Sequence, residues 1–148
     1  MSSPPIAGVT AGVPHRYPML LVDRLESLRP AHSGSALKAI TFGEAHGECA
    51  FDGGPHGLPA SLVVDALGQV AIAVMNAGAT APPARWVLGA IESMEFPRAV
   101  QPGELMKMDA VVRRTWQRIS RVAVRASVEG ETVAEGLLVL SRDEGGAA

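Results

Sequence analysis

Ser61, Asp65 and Gln69 stand four residues apart in Pro59-Ala-Ser-Leu-Val-Val-Asp-Ala-Leu-Gly-Gln-Val-Ala-Ile-Ala-Val-Met75, a run otherwise almost wholly apolar. At 3.6 residues per turn this spacing stacks the three in one slowly drifting stripe of a helix. The remaining circumference is apolar, which predicts a helix buried on most sides rather than amphipathic. A carboxyl on such a helix loses hydration, and that loss favours the neutral acid unless a partner or a reaction uses the charge. Ahead of the helix lies Gly53-Gly-Pro-His-Gly57, which offers backbone N–H groups and the imidazole of His56. An acid, an imidazole and N–H groups at a helix start can move protons and hold a developing oxyanion. The structural alternative is an acid satisfied in a small polar cavity or capping a neighbouring chain.

Other classes are excluded more simply. The apolar run spans about 17 residues, short of the ~20 a membrane span needs, and carries Asp65, Gly68 and Gln69 near its centre. The chain has 148 residues, 47% hydrophobic and 19% charged, which fits one folded domain with one core. Only 4% of residues are aromatic, so Leu, Val, Ala, Ile and Met must fill that core. A net charge of −2 argues against a general nucleic-acid binder. The N-terminus has no basic region followed by an apolar run, and Cys49 stands alone, so the reading is a cytoplasmic protein without disulfides. Cys49 reads as a small buried hydrophobe. His46, Glu48, Cys49, Asp52 and His56 follow no metal-ligand spacing, and no metal is expected. There is no phosphate-binding or dinucleotide glycine loop and no Gly-x-Ser-x-Gly elbow.

The elements that must position these groups follow from period and punctuation. Residues 1–13 read as a mobile lead-in, 14–142 as one domain and 143–148 as a frayed tail. Pro14-His-Arg-Tyr-Pro18 is bounded by proline and reads as a turn, with strands over 19–26 and 35–42. After the helix, 86–94 is a mostly apolar strand. Met106, Met108, Ala110 and Val112 alternate with Lys107, Asp109, Val111 and Arg113, and residues 121–128 show the same period of two. Glu129-Gly-Glu131 is a hairpin turn into a last strand over 132–141. The order predicts an α+β fold in which a long antiparallel sheet wraps one central helix. Such a helix has more apolar faces than one sheet covers, which predicts a dimer with sheets joined edge to edge.

Three stretches carry a family resemblance. They are Pro14-His-Arg-Tyr-Pro-Met-Leu-Leu-Val-Asp-Arg24, Leu58-Pro-Ala-Ser-Leu-Val-Val-Asp-Ala-Leu-Gly-Gln-Val-Ala71 and Phe96-Pro-Arg-Ala-Val-Gln-Pro-Gly-Glu-Leu105. Together they resemble the FabZ-type (3R)-hydroxyacyl-acyl-carrier-protein dehydratases, of the hotdog fold. Asp65 stands where that family has its catalytic acid, and Asp65 with Gln69 resembles the Asp-x-x-x-Gln of polyketide dehydratase domains. The loop departs from the pattern. Where the family reads Phe-x-Gly-His-Phe-Pro-Gly-x-Pro-x-x-Pro, this chain reads Phe51-Asp-Gly-Gly-Pro-His-Gly-Leu-Pro59, three residues shorter. A loop of this kind also resembles, more weakly, the dehydratase-like subunits of aryl polyene pathways, which pair with a second hotdog subunit.

The resemblance implies dehydration of a 3-hydroxyacyl thioester held on the phosphopantetheine of an acyl carrier protein, with no other cofactor. Asp65 is then the acid and His56 the base. Gly57 offers its N–H to the thioester oxygen, Gln69 orients Asp65, and Phe51 and Phe96 flank the substrate. His15, inside the N-terminal signature, reads as structural. In this family the base and the acid of one site come from different subunits, so a homodimer or heterodimer is implied. Two alternatives stay open: a half-catalytic or non-catalytic subunit of a heterodimer, and a hotdog acyl thioesterase. From Arg98 to Arg125, seven cations stand against two acids, a stripe suited to an acidic carrier protein or to plain solvation.

Overall fold

A computed structural model describes residues 6–44, 57–80 and 82–145, residues 6 and 7 by their backbone alone. Helix α1 (Ile6–Gly12) leads to strands β1 (Arg24–Arg29) and β2 (Ser33–Ala39), then to helix α2 (Ala60–Asn76). Strands β3 (Arg85–Glu95), β4 (Leu105–Trp116), β5 (Ile119–Val128) and β6 (Glu131–Asp143) complete the chain. All six strands form one antiparallel sheet in the order β1-β2-β4-β5-β6-β3. Helix α2 therefore connects the β1-β2 side of the sheet to the far edge, where among the described residues β3 pairs only with β6.

The alternation of β4 and β5 holds. Met106, Met108 and Ala110, with Val122, Val124 and Ala126, are buried on the face that meets α2. Helix α2 returns Val63, Leu67, Val70 and Val74 to that core. The Glu129–Gly130 turn has positive φ at both residues (49° and 81°), the conformation that twists correctly between antiparallel strands.

Sequence and structure differ in four places. Within the lead-in expected over 1–13, residues 6–12 form α1, and Val9 of that helix and Val13 just after it are buried in the core; residues 1–5 lie outside the described residues. Gly12 stands against Ala73 of α2, where even a Cβ would make only ordinary contact, 3.5 Å from the Ala73 Cα. Much of the helix surface that the sheet leaves open is thus covered within one chain. The first strand starts at Arg24 rather than Met19, because the Met19 and Leu21 backbone groups bond to a helix side chain instead of a strand. The second strand ends at Ala39, beyond which Ile40 exchanges hydrogen bonds with Gly103 and Glu104 and the Thr41 N–H turns to Glu44. The last strand continues through Asp143, one residue into the expected tail.

Candidate active site

The polar stripe of α2 descends from solvent into the core: Ser61 is exposed, Asp65 half-buried and Gln69 0% exposed. Buried polar groups need partners, and Gln69 has three. Its carbonyl accepts the Leu21 N–H at 2.8 Å, and its NH2 donates to the Met19 carbonyl at 2.7 Å and to Asp65 Oδ2 at 3.0 Å. One carboxamide thereby fixes the acid and clamps the 19–21 segment onto the helix. Both of its N–H donors are used within the chain.

Asp65 opens onto a cavity of about 230 Å3 whose walls include His15, Gly68, Ile72, Trp86 and Leu88. Gly68 keeps it open, since a Cβ at that position would meet nothing within 4 Å. Glycine inside a helix costs about 1 kcal/mol against alanine, so this empty space is held at the expense of helix stability. Two residues of its wall each carry a ring nitrogen sealed from solvent with no hydrogen-bond partner among the described residues, His15 Nδ1 and Trp86 Nε1.

The other expected site residues fall elsewhere. Gly57 lies before α2, where a Cβ would come within 2.8 Å of the Ala99 side chain and 3.1 Å of the Val100 carbonyl. Glycine is needed there for close approach, which lets the Leu58 N–H donate to that carbonyl at 2.8 Å. Phe96 is exposed and lines a separate cavity of about 150 Å3 with Leu58, Val63 and Arg98. Within one chain, Asp65 and Gln69 are together, and Gly57 and Phe96 sit near the helix start. His56 and Phe51 lie outside the described residues, as does the His46–His56 cluster. His15, Gly68 and Trp86 were not singled out in the sequence as site residues. The one signal that could have raised His15 is its place in the N-terminal signature.

Charged pairs brace the approaches. Lys38, on the buried face of β2 at 2% exposure, contacts Glu44 Oε1 at 2.6 Å, and the Thr41 N–H and hydroxyl donate to Glu44 Oε2. Burial pushes the Glu44 carboxyl up, but Lys38 and Thr41 outweigh it and hold it below its ordinary value of 4.5. At the turn before β4, Arg98 and the Gln101 N–H hold Glu104 low as well. The cationic stripe is partly neutralised. Arg98 pairs with Glu104 and Glu131, Arg118 with Glu144, and Arg121 with Glu92, while Arg125 donates to Thr132 and Gly130. Lys107, Arg113 and Arg114 make no ion pair among the described residues. Among those residues no group of three or more His, Cys, Asp or Glu could hold a metal, and no helix is long and apolar enough to cross a membrane.

A six-stranded antiparallel sheet wrapped over a central helix that carries a half-buried acid defines a hotdog domain. The chain belongs to the FabA-like domain family, whose model matches residues 13–137. It is 36% identical over 123 residues to the 3-hydroxyacyl-[acyl-carrier-protein] dehydratase FabZ of Polynucleobacter necessarius, covering 83% of this chain and 82% of that protein. The FabZ of Zymomonas mobilis is also 36% identical, over 129 residues, 86% of this chain and 81% of the relative. Among solved structures, the dehydratase heterocomplex ApeI:P from Xenorhabdus doucetiae shares the fold at a TM-score of 0.76 and 13% identity, over 92% of this chain and 91% of that one.

Proposed function

We propose that this chain removes water from a 3-hydroxyacyl thioester borne on an acyl carrier protein, giving the trans-2-enoyl thioester in fatty-acid or polyketide biosynthesis. The observation that carries the reading is Asp65, held by Gln69 on the wall of a largely apolar cavity, in a chain 36% identical to dehydratases. An imidazole takes the proton at C2, the C2–C3 double bond forms, the C3–O bond breaks, and Asp65 protonates the departing oxygen. His56 is the loop's candidate for that imidazole. The Gly57 N–H, near the start of α2, is the candidate donor to the thioester oxygen, and Phe96 flanks the acyl-pantetheine. The substrate arrives on phosphopantetheine, and the chemistry calls for no further cofactor and no metal.

The working unit in this reading is a dimer, homomeric or with a second hotdog subunit. Edge strand β3 supports it, because among the described residues one row of its backbone groups has no neighbouring strand, beside exposed Val87, Leu88 and Ile91. A cytoplasmic location fits a carrier-protein substrate. A thioesterase is less well supported, since the relatives are dehydratases.

The test is intact-mass detection of water loss from a 3-hydroxyacyl carrier protein. Asp65→Asn, nearly isosteric, is expected to lower turnover by ~10²–10⁴ while the far-ultraviolet spectrum stays unchanged. Wild-type turnover in that variant refutes the reading.

A further inference from the structure

Asp65 marks where C3 of a 3-hydroxyacyl chain must lie, and the space beside it limits how much chain can follow. We propose that Trp86 closes this space and caps the acyl tail, so that the chain prefers short- and medium-length acyl thioesters over long ones; this rests on the dehydratase reading above and deepens it. The helix residues on the cavity wall run one way from the acid, through Gly68 and Gln69 to Ile72. Seven residues at a rise of ~1.5 Å carry that wall about 10 Å towards the C-terminal end of α2. Trp86 stands at this end. Asn76, in the last turn of α2, donates to the Ala84 carbonyl at 3.1 Å and so seats the start of β3, with Trp86, against the helix.

The far end is packed core and not a passage. Ile72, Trp86 and Leu140 are all buried. The cavity's exposed rim is at Val87 and Leu88, on the β3 edge where the dimer reading places the second subunit. A subunit there roofs the cavity, while its depth along α2 is set by atoms of this chain.

The chemistry of the walls selects hydrocarbon over the pantetheine arm. That arm carries amides, which lose free energy when buried without partners. Beyond Asp65 the wall offers them none: both Gln69 N–H donors are engaged, and His15 Nδ1 and Trp86 Nε1 are sealed. What remains facing the space is carbon. At about 230 Å3 the cavity is half as large again as the ~150 Å3 apolar cavity that holds one benzene ring, which gives room for roughly nine carbons. Glycine at position 68 leaves its side-chain volume to the tail, since a Cβ there meets nothing within 4 Å. A tail that outgrows the space must displace Trp86 or fold back, and a single surplus methylene in an apolar pocket costs about 10–200-fold in kcat/KM.

Turnover along a ladder of (R)-3-hydroxybutyryl, -octanoyl and -hexadecanoyl carrier proteins reads the limit. In the wild type, kcat/KM should fall at least ~10-fold from octanoyl to hexadecanoyl. Trp86→Leu should raise the hexadecanoyl-to-octanoyl ratio by a similar factor, and Gly68→Ala should lower the octanoyl-to-butyryl ratio. Equal wild-type values for octanoyl and hexadecanoyl, or an unchanged ratio in a folded Trp86→Leu, overturn the proposal. Binding is read separately from catalysis. The chain has two tryptophans, and Trp116 is exposed at the end of β4, so in Trp116→Phe the emission comes from Trp86 alone. The amide analogue of (R)-3-hydroxyoctanoyl-pantetheine should shift that emission, whereas the butyryl analogue is too short to reach the ring. Emission that stays put with the octanoyl analogue at saturation overturns the proposal even where Trp86→Leu fails to fold. A wild type that binds the analogues with this length preference yet releases no water from any substrate, alone or with candidate hotdog partners, upholds the cap at Trp86 and refutes the dehydratase reading.

Discussion

Gln69 Nε2 lies 3.0 Å from Asp65 Oδ2, one helical turn away, and the same carboxamide holds the backbone of residues 19–21. Position and stability are therefore coupled at one side chain. Gln69→Leu leaves the buried Leu21 N–H and the part-buried Met19 carbonyl without the partner each has here. It should destabilise the fold by about 2–4 kcal/mol, read as a lower urea midpoint.

Gly68→Ala is expected to act in opposite directions on stability and activity. The new methyl meets no atom within 4 Å and removes a helix-interior glycine. Thermal unfolding should show a gain of up to ~1 kcal/mol. Turnover of a 3-hydroxyacyl carrier protein should fall, because the methyl projects into the space beside Asp65. A variant both more stable and fully active argues that substrate never enters that space.

Glu44 gives a pH signature. Its carboxyl is held below its ordinary value by Lys38 and Thr41. A depressed acid contributes stability that is complete above its unfolded-state value and lost as pH falls through the folded one. The wild type should weaken in urea as pH drops below about 5. In Lys38→Met this component should shrink, while the Glu104 contribution, common to both proteins, cancels in the difference. Parallel acid limbs for the two proteins contradict the assignment.

The β3 edge should govern assembly. Placing lysines on the exposed row, Leu88→Lys with Ile91→Lys, adds charges that oppose edge-to-edge pairing. Light scattering is expected to report half the wild-type mass at micromolar concentration. An unchanged mass places the contact elsewhere.

Arg113 and Arg114 carry the carrier-docking prediction, since they make no ion pair among the described residues. Reversing both to glutamate should weaken binding of an acidic carrier protein. Wild-type affinity should itself fall as salt rises. Insensitivity to both changes identifies a solvated surface.

Much of the fold was legible because it depends on local period. The alternation at 106–112 and 121–128, the all-round apolar 59–75 run and the Glu129–Gly130 turn each state a backbone preference without reference to distant residues. Asp65 was legible for the same reason: an acid in an apolar helix is conspicuous in one dimension, and Gln69 follows one turn later. The tertiary structure decided what depends on long-range contact. Residues 6–12 lack a strong helical pattern, yet α1 is stabilised by burying Val9 and Val13. Residues 19–26 read as strand, but Gln69 takes the Met19 carbonyl and the Leu21 N–H, and the strand starts only at Arg24. Most of all, only folding shows that His15 shares a cavity with Asp65, because the Gln69 hydrogen bonds that hold residues 19–21 on the helix cross 48 and 50 residues and leave no periodic trace in the chain.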